Sequence, residues 1–310
     1  MEMVDLGKSG IRISRMGIGA WQASSAWGAK DEDVVRAISR AHELGINLVD
    51  TAETYGEGHS EGVVGRAIKE IGRDDMVVAT KVHGANLRYE ELQKACRRSL
   101  ERLGVKEIDL YQVHWPDPWE QIPLKQTMSA LEKLHGQGKI RAIGVSNFAV
   151  RDLEEARSCL SKAEIVSNQV RYNVLQRNVQ EEVLPYCRKN DIRVLAWSPL
   201  AQGALSGKYG VDNRPEGGVR DKNSLFTKPN MKQIEKMLRV LRDIASGRGR
   251  TVPQVALNWL VRDELVTPIP GAKDPTQSEE NVGAVGWRLT DTEFERIEKA
   301  YASISLDYLA

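Results

Sequence analysis

The chain has 310 residues, of which 41% are hydrophobic, and its 44 basic and 43 acidic side chains almost cancel. This balance excludes the strongly basic surface of a nucleic-acid-binding protein, and no apolar stretch approaches the length of a membrane-spanning helix. The opening MEMVDLGKSG lacks the apolar core of a secretory signal, so we expect a cytoplasmic protein with no membrane insertion.

The first predicted element is a hairpin in MVDLGKSGIRIS, where two short strands flank a glycine-containing turn and are placed to cap one end of the fold. After it, β-rich apolar runs alternate with amphipathic helical segments, which is typical of parallel βα units. The eight strand runs are Met16–Ala20, Asn47–Thr51, Met76–Lys81, Ile108–His114, Ala142–Ser146, Ile165–Val170, Arg193–Ser198 and Val266–Gly271. The helical segments are Asp31–Leu44, Ser60–Ile71, Tyr89–Leu103, Leu124–Gln137, Val150–Leu160, Val179–Lys189 and Val252–Val261.

Eight such units can close into a barrel or lie open as a doubly wound sheet. The turn around Gly17 and Gly19 lacks the third glycine of a dinucleotide-binding GxGxxG fingerprint, so the sequence favours an α/β fold of the (β/α)8 TIM barrel type. Two insertions interrupt the repeat: Ala201–Asn230 is predicted to be a long mobile loop that buries little apolar surface, and Thr290–Ala302 an extra helix. With no linker, residues 1–310 are expected to form a single domain.

Four polar residues are predicted at successive strand ends, where the active site of such a barrel lies. They are Asp50, Tyr55, Lys81 and His114. Taken singly, each is best explained as a structural or solvated residue. The hypothesis of an active site therefore depends on the placement of all four together. An ammonium beside a phenol is expected to lower its pKa and make Tyr55 a proton donor, while Asp50 holds Lys81 and His114 donates to a substrate oxygen.

The segments NLVDTAETYGEGHSEGVVGRAI, ATKV, DLYQVHWPDP, IRAIGVSNF and IPGAKDPTQSEEN occur in this order. They resemble the signature segments of the aldo-keto reductase family, from Met16 to Asn281. The resemblance implies a (β/α)8 barrel that binds an extended nicotinamide dinucleotide without a Rossmann motif, with Asp50, Tyr55 and the other two strand-end residues as a catalytic tetrad. It favours NADP(H), although NAD(H) stays open because Gln277 stands where many NADP-preferring members have arginine.

The resemblance also implies the residues of the cofactor site. Ser146, Asn147 and Gln169 would hold the nicotinamide carboxamide, and Trp197 would stack on the ring. Lys273, before a short helix that begins near Thr276, is a candidate for a 2′-phosphate. The full predicted set is Gly19, Ala20, Trp21, Asp50, Ser146, Asn147, Gln169, Trp197, Ser198, Pro199, Leu200, Gln202, Gly203, Gly271, Ala272, Lys273, Gln277, Glu280 and Asn281.

Tryptophans near the strand ends predict an aromatic substrate pocket. Trp21 and Trp115 are the better candidates, together with Tyr55 and His114, whereas Trp27 and Trp119 are equally well explained by packing of loops onto the barrel. No histidine or cysteine cluster predicts a metal site, and the three cysteines are too scattered for a disulfide framework.

The sequence therefore predicts an NADPH-dependent reductase of small aldehydes or ketones, with Tyr55 as general acid and an open oligomeric state. One alternative is a nicotinamide-binding, redox-sensing regulatory subunit of a membrane protein, because potassium-channel β-subunits share this fold and several motifs. Another is a lyase or isomerase with Lys81 as a Schiff-base nucleophile, which would leave the GVSN and GAK segments without a purpose.

Overall fold

An antiparallel hairpin opens the fold, which is a computed structural model that describes residues 1–308. Strand β1 (Met3–Asp5) pairs with β2 (Arg12–Ser14). Leu6, Ile11 and Ile13 are buried in one cluster with apolar side chains from the first halves of the barrel strands. The hairpin therefore caps the N-terminal end of the barrel, as predicted.

Eight parallel strands follow and form one sheet in sequential order. They are β3 (Ile18–Gly19), β4 (Leu48–Asp50), β5 (Val77–Val82), β6 (Ile108–Val113), β7 (Ile140–Ser146), β8 (Ile165–Arg171), β9 (Arg193–Trp197) and β10 (Val266–Pro268). Gly17 N donates to the Pro268 carbonyl and Gly19 N to the Pro270 carbonyl, each at 3.0 Å. These bonds join the first strand to the last, and the predicted barrel is confirmed.

Helices pack around the outside of the strands. They are α1 (Asp31–Glu43), α2 (His59–Ile71), α3 (Tyr89–Leu103), α4 (Leu124–Gly136), α5 (Val150–Ser158), α6 (Val183–Lys189), α7 (Lys228–Arg248), α8 (Val252–Val261), α9 (Pro275–Val282) and α10 (Asp291–Ala302). In α1 the buried Val34, Ile38 and Ala41 recur at helical spacing and form one apolar face. Within residues 1–308, no helix is long and apolar enough to cross a membrane.

The main correction to the predicted elements concerns the stretch after β9. The predicted loop Ala201–Asn230 ends earlier, because α7 begins at Lys228, and this helix of 21 residues was missed. Its buried Met231, Ile234 and Leu238 have helical spacing, so the signal was present in the sequence. The loop also buries Leu205, Leu225 and Phe226, contrary to the expectation of little buried apolar surface.

Candidate active site

A buried ion pair at the carboxyl ends of two neighbouring strands forms the centre of the site. Asp50 is the last residue of β4, and Lys81 lies near the end of β5. Lys81 Nζ donates to Asp50 Oδ1 at 2.6 Å and to the Thr51 carbonyl at 2.8 Å, and the two side chains are 0% and 3% exposed. Burial opposes the charge on Lys81, but Asp50 and then Tyr55 outweigh it and raise the pKa of the ammonium. Lys81 therefore stays charged at neutral pH.

The second carboxylate oxygen of Asp50 is held by two amides. Gln169 Nε2 donates to Asp50 Oδ2 at 2.8 Å, and Gln112 Nε2 donates to the same oxygen at 3.3 Å. The sequence prediction included Gln169 but missed Gln112. The sequence does indicate Gln112, because it stands two residues before His114 and alternate residues of a strand face the same side. The amides and the ammonium together fix one orientation of the carboxylate.

Tyr55 lies on the loop after β4, directly above the ion pair. Lys81 Nζ is 5.1 Å from the centroid of the Tyr55 ring, and the Trp21 ring centroid is 6.1 Å away. The sequence predicted a lowered phenol pKa, and as a net effect this was wrong. Burial is the largest influence and raises the pKa of Tyr55, while the charge of Lys81 opposes it. The phenol therefore stays protonated at neutral pH.

Two glutamates and one arginine anchor the loop between β4 and α2 to the neighbouring elements β5 and α3. Arg102 Nε in α3 donates to Glu61 Oε2 at 2.6 Å, and Arg102 Nη2 lies 3.9 Å from Glu53 Oε2. Glu61 Oε1 accepts from Thr80 Oγ1 at 2.6 Å. Gly58 has φ +93°, and a Cβ there would lie 2.5 Å from Arg102 Nε, so the guanidinium packs directly on the loop backbone. This network ties the loop to both β5 and α3.

His114 follows β6 and faces the phenol. The ring centroids of His114 and Tyr55 are 5.8 Å apart, with their planes at 80°. Burial, and then the charge of Lys81, lower the pKa of His114 to about 3, so the imidazole is neutral at physiological pH. Thr54 Oγ1 lies 3.3 Å from His114 Nδ1. With Nδ1 accepting from Thr54, the ring proton is on Nε2, from which it can donate to a bound oxygen.

A cleft with a volume of about 590 Å³ opens over this centre. The sequence-predicted residues that line it are Gly19, Trp21, Asp50, Tyr55, His114, Trp115, Ser146, Asn147, Gln169, Trp197, Ser198, Pro199, Leu200, Gln202, Gly203, Gly271, Lys273, Gln277, Glu280 and Asn281. Ala20, Ala272 and Lys81 are buried and do not line the cleft. Lys81 therefore acts on the cleft through its neighbours rather than by direct contact.

Amide, hydroxyl and indole groups form one linked set at the ends of β7, β8 and β9. Ser146 Oγ donates to the Gln169 carbonyl at 2.7 Å, and Asn147 Nδ2 donates to Ser146 Oγ at 3.0 Å. Trp197 Nε1 donates to Asn147 Oδ1 at 3.0 Å, which fixes the indole at the cleft wall. Such a set suits a flat, amide-bearing ring, because it offers both hydrogen-bonding groups and a large aromatic surface.

The backbone after β9 is unusual. Ser198, Ala201 and Gln202 have φ of +51°, +51° and +54°, the left-handed region that non-glycine residues rarely adopt. Ser198 and Gln202 both line the cleft. Strain of this kind costs on the order of 1–3 kcal/mol per residue and is concentrated at functional sites. This segment therefore concentrates left-handed backbone beside the cleft.

Two cations meet at Trp27, which packs edge-on against Trp21 in the cleft wall. Lys273 Nζ donates to the Trp27 carbonyl at 2.6 Å and lies 5.5 Å from its ring centroid. Arg220 lies 4.8 Å from the same ring and 5.6 Å from that of Tyr209. Burial, and then the charge of Arg220, lower the pKa of Lys273. The part of the cleft around Trp27 therefore concentrates positive charge.

The structure separates the two tryptophans whose role the sequence left open between loop packing and the substrate pocket. Trp27 is 8% exposed, packs on Trp21 and also lines the cleft. Trp119 is 78% exposed and does not line the cleft, so the loop-packing interpretation is wrong for it. Lining residues with charged or hydroxyl groups that the sequence prediction missed are Arg171, Ser206, Lys208, Tyr209 and Arg220. Within residues 1–308, no group of three or more histidine, cysteine or acidic side chains has a metal-binding arrangement.

Comparisons with known proteins give a consistent result. A model of the Aldo/keto reductase family matches residues 15–302. An NADH-specific methylglyoxal reductase of Escherichia coli (strain K12) is 36% identical over 317 residues, covering 94% of this chain and 96% of the relative. A candidate voltage-gated potassium channel subunit beta of Schizosaccharomyces pombe is 33% identical over 319 residues, covering 95% and 91%. The solved aldo-keto reductase from Klebsiella pneumoniae in complex with NADPH has a TM-score of 0.79 and 28% identity, covering 97% and 95%.

Proposed function

The chain belongs to the aldo/keto reductase family, whose members bind nicotinamide cofactors, and we propose that it reduces aldehydes and ketones to alcohols with NADPH. The observation that carries the proposal is the meeting of Tyr55, Lys81, Asp50 and His114 beside one cleft. A protonated phenol beside a charged ammonium and a neutral imidazole is suited to protonating a developing alkoxide. We take residues 1–310 to be one catalytic domain.

The reaction needs a hydride and a proton, and NADPH, when bound, supplies the hydride to the carbonyl carbon. His114 Nε2–H donates to the carbonyl oxygen and directs it toward Tyr55. As negative charge develops on this oxygen, the Tyr55 hydroxyl transfers its proton to it, and C=O becomes CH–OH. The hydride brings the electron pair, and a phenolate remains on Tyr55 until it takes a proton from water.

Lys81 and Asp50 make this proton transfer accessible. The buried phenol is a weak acid in the resting site, because burial raises its pKa. The phenolate would form with the ammonium of Lys81 close beside it, and this attraction is greatest when the negative charge is present. Asp50 keeps Lys81 charged and in place through the 2.6 Å ion pair. The pair would therefore act mainly on the transition state.

The cofactor would lie along the cleft from Trp197 to Lys273. Ser146, Asn147 and Gln169 would hold the carboxamide, and the indole of Trp197 would stack on the ring. The cations at Trp27 would bind phosphate groups, and a contact of Lys273 with the 2′-phosphate, which NAD(H) lacks, would favour NADP(H). Because the methylglyoxal reductase of Escherichia coli is NADH-specific, the preference must be measured with both cofactors.

A regulatory, redox-sensing role is the second candidate, and the likeness to the potassium channel subunit of Schizosaccharomyces pombe favours it. Such a protein would bind the cofactor tightly and oxidise it once rather than turn over. A Schiff-base role for Lys81 has less support. The nucleophile must be a neutral amine, whereas Lys81 is held charged by Asp50.

The Tyr55→Phe variant tests the proposed acid. The substitution removes only the hydroxyl, so cofactor binding should be retained while kcat for a reactive aldehyde falls by about a thousandfold. The measurement is the loss of NADPH absorbance with 4-nitrobenzaldehyde, with cofactor binding followed by tryptophan fluorescence as the control. Near-wild-type turnover by the variant would show that the acid is another group.

A further inference from the structure

The cleft carries an excess of unpaired positive charge. Its lining includes four cations, Arg171, Lys208, Arg220 and Lys273, and two carboxylates, Asp50 and Glu280. Asp50 is engaged by Lys81. None of the four cations lies within 4.0 Å of a carboxylate oxygen of residues 1–308, the limit for an ion pair. Unpaired cations around a concave surface attract anionic ligands.

These cations differ in the aromatic rings that they contact. Arg220 and Lys273 both lie over Trp27, and Arg220 also lies over Tyr209. These two cations therefore form one cluster, which matches the phosphate groups of a dinucleotide. Arg171 instead lies at the strand ends, over Trp197.

Arg171 belongs to the part of the cleft where the proposed chemistry takes place. It is the last residue of β8, two residues after Gln169, and pairs in register with Trp197. Its guanidinium carbon lies 4.4 Å from the Trp197 ring centroid. From Trp197, two hydrogen bonds of 3.0 Å lead through Asn147 to the His114 carbonyl. Arg171 is thus held beside the groups proposed to surround the nicotinamide and the carbonyl.

The guanidinium of Arg171 also lacks a counter-charge. Burial lowers its pKa, and among residues 1–308 the one group that acts to raise it is the phenol of Tyr308 rather than a carboxylate. A planar guanidinium stacked on an indole keeps its N–H edge available, and this edge matches a carboxylate in a bidentate geometry.

We propose that Arg171 binds the carboxylate of the substrate, and that the preferred substrates are aldehydes that carry an acidic group beyond the reacting carbonyl. This inference rests on the proposed reductase function, because it assigns the substrate class of the same cleft. The nicotinamide ring has no anionic group for Arg171 to meet, and the cation cluster at Trp27 serves the phosphates. A carboxylated aldehyde supplies the missing counter-charge.

A matched pair of substrates tests the proposal. 4-Carboxybenzaldehyde and 4-nitrobenzaldehyde have nearly the same shape, but only the first is charged. We expect Arg171→Met to lower the kcat/KM ratio of the charged to the neutral aldehyde by about ten- to thirtyfold, mainly through the KM of the charged aldehyde, because a charge-assisted contact is lost. Arg171→Lys should restore part of this ratio, and Arg239→Met, on the exposed face of α7, is the matched control.

Three further readouts separate the possible outcomes. The wild-type ratio should fall as ionic strength rises, because screening weakens the attraction. An unchanged ratio in Arg171→Met would overturn the proposal, and so would weaker NADPH binding with an unchanged ratio, which would place Arg171 at a phosphate. If the wild type reduced neither aldehyde, the reductase function would fail. Calorimetric binding of the two aldehydes to wild type and Arg171→Met would then still test Arg171.

Discussion

The two ends of the barrel hold their charged side chains in opposite ways. At the N-terminal end, Asp109 is fully buried between Arg73 and Arg141, each at 2.7 Å. Arg15 there donates to three backbone carbonyls within 2.8 Å. At the C-terminal end, the cations that line the cleft have no carboxylate partner among residues 1–308. The buried carboxylate of Asp109 is thus matched by cations of the protein at one end, whereas the cations of the cleft have no carboxylate of the protein beside them at the other.

The ion pair of Lys81 and Asp50 combines features of both ends. It is buried and fully hydrogen bonded like the pairs at the N-terminal end, but it lies beneath the cleft beside Tyr55. A purely structural pair affects folding, whereas a pair that acts on a catalytic phenol affects turnover as well. Substitutions at the two ends should therefore separate stability from activity, and the pair should change both.

The largest expected effect comes from Lys81→Met. The variant removes the ammonium that would stabilise the phenolate, so kcat should fall by about a thousandfold, with a small change in KM. It also leaves the buried Asp50 without its cation, and stability should fall. Steady-state assays with NADPH and urea unfolding measure both effects. Loss of stability with normal turnover would show that the pair of Lys81 and Asp50 has only a structural role, like the charges at the N-terminal end.

Asp109→Asn should give the converse result. It leaves Arg73 and Arg141 without their shared carboxylate, and the free energy of unfolding should fall by about 2–3 kcal/mol, less than for a fully buried pair because both arginines reach solvent. The kcat of the folded variant should match the wild type, because the site lies at the opposite end. Urea unfolding and the NADPH assay measure the two quantities. A large drop in kcat would show that the ends are coupled.

Lys273→Ala should weaken cofactor binding without a large change in stability. Lys273 has no carboxylate partner within residues 1–308 to leave unpaired, so the main loss is its contact with a cofactor phosphate. We expect the Kd of NADPH to rise about tenfold and that of NADH to change less. Fluorescence titration with both cofactors is the measurement. Equal losses for the two would remove the support for a 2′-phosphate site at Lys273.

The smallest expected effect is a pH dependence of stability from His114. Its pKa is lowered from 6.5 to about 3 on folding, so the unfolded chain binds the proton more readily. The stabilising contribution is complete above the unfolded pKa and is lost as pH falls toward 3. The free energy of unfolding should be about 1–2 kcal/mol lower at pH 5 than at pH 7 through this group.

His114→Gln should remove this part of the pH dependence, whereas His135→Gln, on the exposed side of α4, should leave it intact. Urea unfolding at the two pH values measures the difference. An equal pH dependence in wild type and His114→Gln would contradict a depressed pKa at this site.

Much of the site was predictable because a parallel barrel brings its strand ends together. Asp50 and Tyr55, Lys81, and His114 come from three successive βα units of the chain, yet the order of strands places them side by side. Gln112 and Arg171 were missed, although each stands two residues from a predicted site residue, His114 and Gln169 respectively. Because alternate residues of a strand face the same side, this spacing indicates that both face the site.

Other features depend on structure that residue pattern does not specify. The position of Arg220 over Trp27 follows from the path of the loop between β9 and α7, which no local spacing determines. The pKa of Tyr55 depends on the balance between burial and the charge of Lys81, and the sequence indicated only the charge. Helix α7, by contrast, could be predicted, because its buried apolar residues have helical spacing in the sequence. It was missed because a polar stretch precedes it and obscures where it begins.

We propose that the charged centre beneath the cleft supports repeated carbonyl reduction. The most direct test follows the absorbance of NADPH at saturating 4-nitrobenzaldehyde, with NADH in parallel and the cofactor in large excess over protein. We expect continued oxidation over many equivalents of cofactor, faster with NADPH than with NADH. Oxidation that stops at one equivalent per protein chain would contradict it and favour the redox-sensing role.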